Sequence, residues 1–268
     1  MERTKVQRLY DACNAVFCAH QQAGEAGRYL PSFRQIHSLK NLLSAYICRT
    51  DMPEIVCNRL ADTIEAVDVG IDEYGGGSPS PSSSPDSSKE LIRAQAIDKI
   101  TYIHIHECDN FSIGMFCFPA GGTFPLHDHP GMTVLSKLLY GSMYVKAYDW
   151  VKFDTSNYRT IGLAGKVMDG VMETPCEPSV LFPRSGGNIH AFTALTPCAI
   201  LDVLSPPYSD ELDRPSTYFL DYPIPSLPGY AVLEERDVPE ELVVAGAPYL
   251  GPPIVTKEDP CFLQDYRP

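Results

Sequence analysis

The chain lacks the features that mark membrane proteins and nucleic-acid-binding proteins. None of its apolar runs reaches the ~18–20 residues that a membrane-spanning helix needs. Basic residues are in short supply, because 21 Lys and Arg stand against 34 Asp and Glu, for a formal net charge of −13. Nucleic acids and anionic membranes both attract clustered positive charge. The composition therefore argues against either partner, whereas a cationic partner such as a basic peptide is compatible with it.

We also expect no export signal. The first ten residues, MERTKVQRLY, do not contain the apolar core of a signal peptide. The nine cysteines are odd in number and include no Cys-x-x-Cys pair. In a chain without an export signal, most cysteines are expected to be reduced and packed in the core. We therefore expect a cytoplasmic and nuclear protein.

The N-terminal third has the apolar periodicity of helices. Apolar residues recur at spacings of three and four over 4–18, 38–48 and 53–67, which predicts a packing helix in each stretch. The run of Gly, Ser and Pro that follows at 75–88 contains no residues able to build a core. It predicts a flexible, solvated loop.

The remainder of the chain has the texture of a β protein. Between 97 and 222, short runs rich in Val, Ile, Phe, Tyr and Thr alternate with Gly, Pro, Asn and Asp, which favours a β-sandwich or barrel. We expect a helical segment at 1–72, a flexible loop at 73–90, and a β-barrel with a C-terminal tail at 91–268. Together they are expected to form one structural domain.

Three of the seven histidines fall in two places that indicate a metal site. His127 and His129 are separated by one residue, so on a strand their imidazoles would share a face while Asp128 points away. His190 follows the turn Gly186-Gly187-Asn188. We predict that the three imidazoles bind one metal ion. The alternative is that His127 and His129 are surface residues of a strand.

The predicted site has no carboxylate ligand, because no Asp or Glu occurs between His129 and Asp149. Three neutral imidazoles would leave the metal its full charge and several open positions. Ligand type alone permits Zn, Fe or Ni. A second His-x-His pair, His104 and His106, has the alternation of a half-exposed strand and is the less suitable pair.

Two further residues are candidates for the site. Asp202 places a carboxylate inside the apolar run Ala199–Leu204, and an unpaired buried charge is costly, so a hydrogen-bonded or cationic partner is expected. It could hold a substrate ammonium, orient a group next to the metal ligands, or cap backbone amides. Tyr208, which follows Pro206-Pro207, could line the mouth of the site or simply pack.

Several blocks of the sequence resemble the plant cysteine oxidases, thiol dioxygenases related to animal cysteamine dioxygenase. The resemblance covers roughly residues 97 to 255 and the N-terminal helix. The blocks are Ile105–Phe116 (IHECDNFSIGMF), Pro125–Lys137 (PLHDHPGMTVLSK), Tyr140–Met143 (YGSM), Leu201–Tyr208 (LDVLSPPY) and Pro248–Pro252 (PYLGP). The second and fourth blocks are far more specific than a general cupin signature.

The resemblance implies a cupin-type double-stranded β-helix that holds Fe(II) through His127, His129 and His190. It implies that the N-terminal cysteine of target proteins, such as group VII ethylene-response factors, is oxidised to the sulfinic acid with both atoms of O2. Such products enter the arginine branch of the N-degron pathway, so the enzyme would sense oxygen. Asp202 and Tyr208 match family positions near the active site and are assigned as catalytic residues.

One position departs from some relatives. They carry a cysteine where this chain has Ser216, so no Cys–Tyr cofactor is expected. We expect a monomer. The alternatives that stay open are a dioxygenase of a free small thiol (cysteine or cysteamine), another metal-dependent cupin enzyme such as an isomerase, and a non-catalytic cupin that binds a ligand or a partner protein.

Overall fold

The structure, a computed structural model, describes residues 3–18, 31–44, 64–73, 91–154 and 159–256, and the backbone of two short strands at 46–48 and 57–59. Its helices are α1 (Lys5–Phe17) and α2 (Phe33–Leu43), and short 3-10 helices cover Ala66–Val69 and Ala94–Ala96. None of the helices in these ranges is long and apolar enough to cross a membrane.

Strands cover nearly half of the described residues. In chain order they are β1 (Tyr46–Cys48), β2 (Cys57–Arg59), β3 (Ile71–Asp72), β4 (Ile92–Arg93), β5 (Ile100–Glu107), β6 (Ser112–Phe118), β7 (Thr123–His127), β8 (Thr133–Tyr140), β9 (Ser142–Asp154), β10 (Ile161–Glu173), β11 (Ser179–Leu181), β12 (Ile189–Ala194), β13 (Cys198–Ser205), β14 (Tyr218–Pro223), β15 (Tyr230–Arg236) and β16 (Val244–Ala247).

Two six-stranded sheets organise the molecule. The first closes on itself in the order β10-β15-β14-β7-β12-β9, with every neighbouring pair antiparallel. The second has the order β11-β8-β13-β6-β5-β16, in which β16 runs parallel to β5 and the other neighbours are antiparallel. This topology confirms the predicted fold class, a mainly β chain with a cupin-type barrel and N-terminal helices.

The helices cover the outer face of the second sheet. Thr4 caps α1 by accepting a hydrogen bond from the backbone N–H of Gln7 (3.1 Å), and Ser32 forms a capping box with Gln35 at the start of α2. The buried residues that join α1 to this sheet are Leu9, Tyr10, Cys13, Ile103, Phe111, Ile113, Met115, Leu201 and Val203. The opposite face of the same sheet therefore turns toward the barrel interior, because side chains alternate along each strand.

The N-terminal helices are predicted correctly for α1 and less well beyond it. α2 begins at Phe33, because Ser32 caps it there, and it ends at Leu43, whereas a helix was expected over 38–48. The prediction of a helix over 53–67 is wrong at Cys57–Arg59, which pairs with Tyr46–Cys48 as a strand, and at Ala66–Val69, which is a 3-10 helix. At Cys57–Arg59, pairing with another strand outweighs the local helical periodicity.

The division into segments at 1–72, 73–90 and 91–268 stays a prediction. Residues 74–90, which contain nearly all of the expected flexible loop, lie outside the described residues, as does the tail after residue 256.

Candidate metal centre and cavity

Three histidines from different parts of the barrel meet at one point. His127 is the last residue of β7, and it pairs directly with His190 near the start of β12. His129 lies two residues beyond β7, in the loop before β8. The ring centroids are 4.7–5.0 Å apart, and the candidate ligand atoms all lie within 4.8 Å of one another. This spacing lets the three imidazoles share one metal ion.

Each imidazole is oriented by a backbone carbonyl. The Nδ1 atoms of His127, His129 and His190 lie 2.9, 3.1 and 3.2 Å from the carbonyl oxygens of Pro125, Asn188 and Gly187. Since a carbonyl oxygen can only accept, each Nδ1 must carry the proton and donate it. The lone pair is then on Nε2 in all three rings, which leaves each Nε2 available to bind a metal ion.

Burial keeps these rings neutral. It lowers the pKa of His127 to about 4 and, with repulsion from neighbouring His127, that of His129 to about 3. Burial, followed by the two neighbouring histidines, places the pKa of His190 well below its usual range. Among the described residues, no carboxylate or thiol joins this cluster. The donor set is therefore three neutral nitrogens, which fits a divalent transition metal.

Asn188 fastens the loop of His129 to the turn before β12. Its Oδ1 accepts the backbone N–H of His129 (3.1 Å), and its Nδ2 donates to the carbonyl oxygens of His129 (2.9 Å) and Phe182 (3.0 Å). Asp149 on β9 accepts the backbone N–H groups of Gly187 and Asn188 at 3.0 and 2.9 Å. Gly187 has φ +85°, which favours glycine. These contacts fix the loop that carries His129 relative to the turn that precedes His190.

The expectation that His127 and His129 share a strand is wrong, because β7 ends at His127. The rings still converge, since Asn188 holds the backbone of His129 after the strand has ended. Asp128 points away as predicted: its Oδ1 accepts the backbone N–H of Thr217 at 2.9 Å. Asn188 and Asp149 were not identified from the sequence, where Gly186-Gly187-Asn188 indicated only a turn.

The histidines open into a cavity between the two sheets. The cavity has a volume of about 220 Å³. Its lining consists of the three histidines, Phe116, Phe118, Phe124, Phe192, Ile200, Leu204, Ser136, Asp202, Tyr208, Ser216 and Tyr218. Aromatic and aliphatic groups thus form most of the wall, and a few polar groups point inward. This is the usual composition of a small-molecule site.

Asp202 is the one carboxylate in this cavity lining. β13 alternates, so Leu201 and Val203 face the helices while Asp202 faces the cavity. Its Oδ1 is buried and has no hydrogen-bond partner among the described residues. Burial raises the pKa of Asp202 to about 6, and a hydrogen bond from Ser136 opposes that shift. Ser136 is therefore a hydrogen-bonded partner of the kind expected from the sequence, and the Oδ1 atom is left available to a cationic ligand.

Tyr208 and Ser216 complete the polar part of the wall. The hydroxyl of Tyr208 donates to the carbonyl oxygen of Asp128 (2.7 Å), and its ring lies 5.6 Å from that of His129. Tyr208 therefore braces the loop between the first two histidines while it lines the cavity. The buried Oγ of Ser216 has no hydrogen-bond partner among the described residues. The less suitable pair, His104 and His106, is outside the cluster.

Comparisons with known proteins identify the family of the chain. The sequence profile of the PCO_ADO family matches residues 60–254. Plant cysteine oxidase 1 of Arabidopsis thaliana is 40% identical, over 94% of this chain and 80% of the relative. Plant cysteine oxidase 2 of the same plant is 38% identical, over 93% and 83%. Human 2-aminoethanethiol dioxygenase is 31% identical, over 58% and 68%. The chain belongs to the PCO_ADO family, and its resemblance to the plant cysteine oxidases is confirmed.

Proposed function

We propose that this protein is an iron-dependent thiol dioxygenase that oxidises the N-terminal cysteine of target proteins to cysteine sulfinic acid. The observation that carries the proposal is the arrangement of the cavity. Three imidazoles with Nε2 available meet at one point, and the same cavity is lined by the Asp202 carboxylate, whose Oδ1 has no hydrogen-bond partner among the described residues. The metal ligands are proposed to be His127, His129 and His190, and Asp202 and Tyr208 are the residues proposed to act on the substrate.

Fe(II) fits the residues that would hold it. Three neutral imidazoles leave the ion its full positive charge, and related sites with open positions serve in iron oxygenases. A ferrous ion held there would supply the redox chemistry that the reaction with O2 requires. The overall change, R–SH + O2 → R–SO2H, places both oxygen atoms on sulfur and takes the thiol to a largely irreversible oxidation state.

The chain's own residues bind and orient the substrate in this proposal. Above a pH of about 6 Asp202 is ionised, and its Oδ1 accepts a hydrogen bond from the α-ammonium of the substrate. Phe116, Phe124 and Phe192 exclude water from the reacting sulfur. Tyr208 keeps the loop between His127 and His129 in place through the carbonyl of Asp128. Tyr208 is therefore proposed to position the metal ligands while it contacts the substrate.

The cellular role follows from this reaction. We propose that the targets include group VII ethylene-response factors, that their oxidation feeds the arginine branch of the N-degron pathway, and that the enzyme thereby senses oxygen. A protein acting on such targets would work in the cytoplasm and the nucleus as a monomer. The net charge of −13 supports the absence of nucleic-acid and membrane partners.

A dioxygenase of a free small thiol is the second candidate. It is favoured by the cavity volume of about 220 Å³, which is below the ~300–1,000 Å³ of typical ligand pockets. The 31% identity to a human 2-aminoethanethiol dioxygenase supports it as well. A folded substrate would insert only its terminal residue into such a space, so the volume is compatible with both candidates.

Oxygen uptake by the iron-loaded protein separates these functions. The substrates are a peptide that begins with Cys, the same peptide with an acetylated N-terminus, free cysteine, and cysteamine. We expect the unmodified peptide to react fastest and acetylation to slow it at least tenfold, because acetylation removes the charge that Asp202 binds. Faster turnover of cysteine or cysteamine would favour the second candidate. A metal-replete protein inert toward all four would indicate a non-catalytic cupin.

A further inference from the structure

A second group of reactive side chains lies outside the cavity, where the end of α1 meets the turn between β5 and β6. Cys18 is the C-terminal cap of α1, and Cys108 and Asn110 belong to that turn. His106 is close to the end of β5. Both cysteines are partly exposed, and neither is in a disulfide. The proposed oxidation of substrate does not use any of these residues.

The contacts in this group bring the two sulfur atoms together. The side-chain amide of Asn110 donates to the Sγ atom of Cys18 at 3.5 Å. The thiol of Cys108 donates to the carbonyl oxygen of Phe111, also at 3.5 Å, and the backbone N–H of Cys108 donates to the same oxygen at 3.0 Å. The thiols of Cys18 and Cys108 are themselves hydrogen-bonding neighbours.

His106 is held against this pair by packing. The sequence pattern placed it on the same face as His104, but the pairing of β5 with β6 shifts register between these two residues. His106 therefore turns toward the layer under α1, where its ring centroid lies 4.8 Å from that of Tyr10 and 5.2 Å from that of Phe111. The bulge in β5 thus places the His106 imidazole within hydrogen-bonding reach of Cys108.

This environment stabilises a thiolate on Cys108. The hydrogen bond with Cys18 is the largest cause, burial opposes it, and hydrogen bonds with His106 and with the backbone of Asn110 act in the same direction as Cys18. The net effect lowers the pKa of the Cys108 thiol well below its usual range. Four other described cysteines have their pKa raised by burial: Cys13, Cys117, Cys176 and Cys198. Reactive thiols combine thiolate character with solvent access, and Cys108 has both.

We propose that Cys108 is a peroxide-reactive modification site and that Cys18 converts the oxidised Cys108 into an intramolecular disulfide. In the first step the Cys108 thiolate attacks hydrogen peroxide, the O–O bond breaks, and Cys108 becomes a sulfenic acid as hydroxide leaves. In the second step the sulfur of Cys18 attacks that of Cys108, and water leaves. The sum is 2 R–SH + H2O2 → R–S–S–R + 2 H2O, with both thiols oxidised and the peroxide reduced.

The disulfide would join α1 to the β5–β6 turn, two elements that already share the buried layer of Tyr10 and Phe111. Asn110 also links this turn to the cavity wall, because its carbonyl oxygen accepts a hydrogen bond from Ser205 (2.8 Å), three residues before Tyr208. The modification site is thus separate from the metal centre and connected to it through one loop.

Mass spectrometry of the full-length, metal-loaded protein tests the proposal. The protein is treated anaerobically with one equivalent of H2O2, remaining thiols are blocked with N-ethylmaleimide, and the unreduced digest is analysed. We expect a Cys18–Cys108 crosslink in the wild type and in Cys176→Ser, the matched control for another partly exposed cysteine. In Cys18→Ser we expect no crosslink, and a sulfenic acid on Cys108 that dimedone traps.

Alkylation rates measured on the wild type alone test the proposal without depending on the folding of any variant. We expect iodoacetamide to alkylate Cys108 at least tenfold faster than Cys176 at pH 7. Equal rates at the two cysteines, a crosslink that persists in Cys18→Ser, or oxidation that bypasses Cys108 would each overturn the proposal. None of these outcomes depends on dioxygenase turnover, so failure here and failure of the proposed function are distinguishable.

Discussion

Asp202 is the residue on which the proposed substrate binding depends, and Asp202→Asn removes its charge while keeping its shape. Hydrogen bonds to charged groups contribute about 1.5–3 kcal/mol. We therefore expect kcat/KM for a Cys-initiated peptide to fall about 10- to 100-fold. Metal content, measured by mass spectrometry of the elements, should stay near the wild-type value, because Asp202 is not in the histidine cluster.

Asp98→Asn is the control for this exchange, since Asp98 is an exposed carboxylate just before β5. It should change neither turnover nor metal content. Loss of metal from Asp202→Asn would contradict a role in binding substrate and would make Asp202 a structural support of the metal site.

The same carboxylate gives a pH-dependent effect on stability. Burial raises the pKa of Asp202 from its unfolded value of 3.8 to about 6, so the folded state holds this proton more tightly than the unfolded state. The contribution of Asp202 to stability is then greatest below pH 3.8, falls as pH rises toward 6, and stays reduced above it. A shift of about two units corresponds to roughly 2–3 kcal/mol.

Thermal unfolding of the metal-free protein checks this expectation. The melting temperature of Asp202→Asn minus that of the wild type should be larger at pH 7.5 than at pH 4. The reason is that only the wild type carries the buried charge at the higher pH. A difference between the two proteins that does not vary with pH would show that the Asp202 carboxylate has a compensating partner.

At this scale, the sequence identified the residues whose chemistry is unusual for their position. His127, His129 and His190 stood out because histidine is scarce, and Asp202 stood out because its neighbours are apolar. Asn188 could not be found in this way. Its importance comes from two loops that meet only in the folded barrel, and an asparagine after two glycines indicates a turn in many proteins.

At the scale of elements, the metal centre depends on how the loop after β7 is joined to the turn before β12. Asn188→Ala removes three hydrogen bonds at that junction. Losing partners that orient metal ligands typically lowers metal affinity about 10- to 100-fold. We expect a loss of that size in competition titrations against a chelator, together with a lower melting temperature.

Asn41→Ala is the matched control, because Asn41 is exposed on α2 and its amide contacts only the exposed His37 among the described residues. It should leave metal affinity unchanged. Unaltered affinity in Asn188→Ala would mean that β7 and β12 hold the three rings without this junction.

Strands were easier to predict than helix ends. The apolar runs of the sequence lie at 101–106, 111–118, 133–139, 142–149, 179–182, 189–195 and 199–204. They match β5, β6, β8, β9, β11, β12 and β13 to within a few residues, apart from the longer C-terminal end of β9. Ile161–Glu173 was missed, because its three glycines weaken the strand pattern although β9 and β15 pair with it on both sides. The bulge that turns His106 inward could not be predicted from the sequence either, since a register shift depends on the neighbouring strand.

At the scale of the whole molecule, local patterns predicted a β-barrel or sandwich, and they could not give the strand order. The order β10-β15-β14-β7-β12-β9 brings together strands that are far apart in the chain, such as β7 and β12. The resemblance to plant cysteine oxidases supplied the cupin topology in advance. His190 pairs with His127 as a result of that topology, because β7 and β12 are neighbours only in the closed barrel.

The central claim is that three neutral imidazoles and a cavity carboxylate support the addition of O2 to the sulfur of an N-terminal cysteine. Its most direct test is mass spectrometry of a Cys-initiated peptide after incubation with anaerobically iron-loaded protein and doubly 18O-labelled O2. We expect a peptide whose terminal cysteine carries two labelled oxygen atoms, formed by the wild type and not by His190→Ala. A peptide that gains one labelled atom, or none, would contradict it.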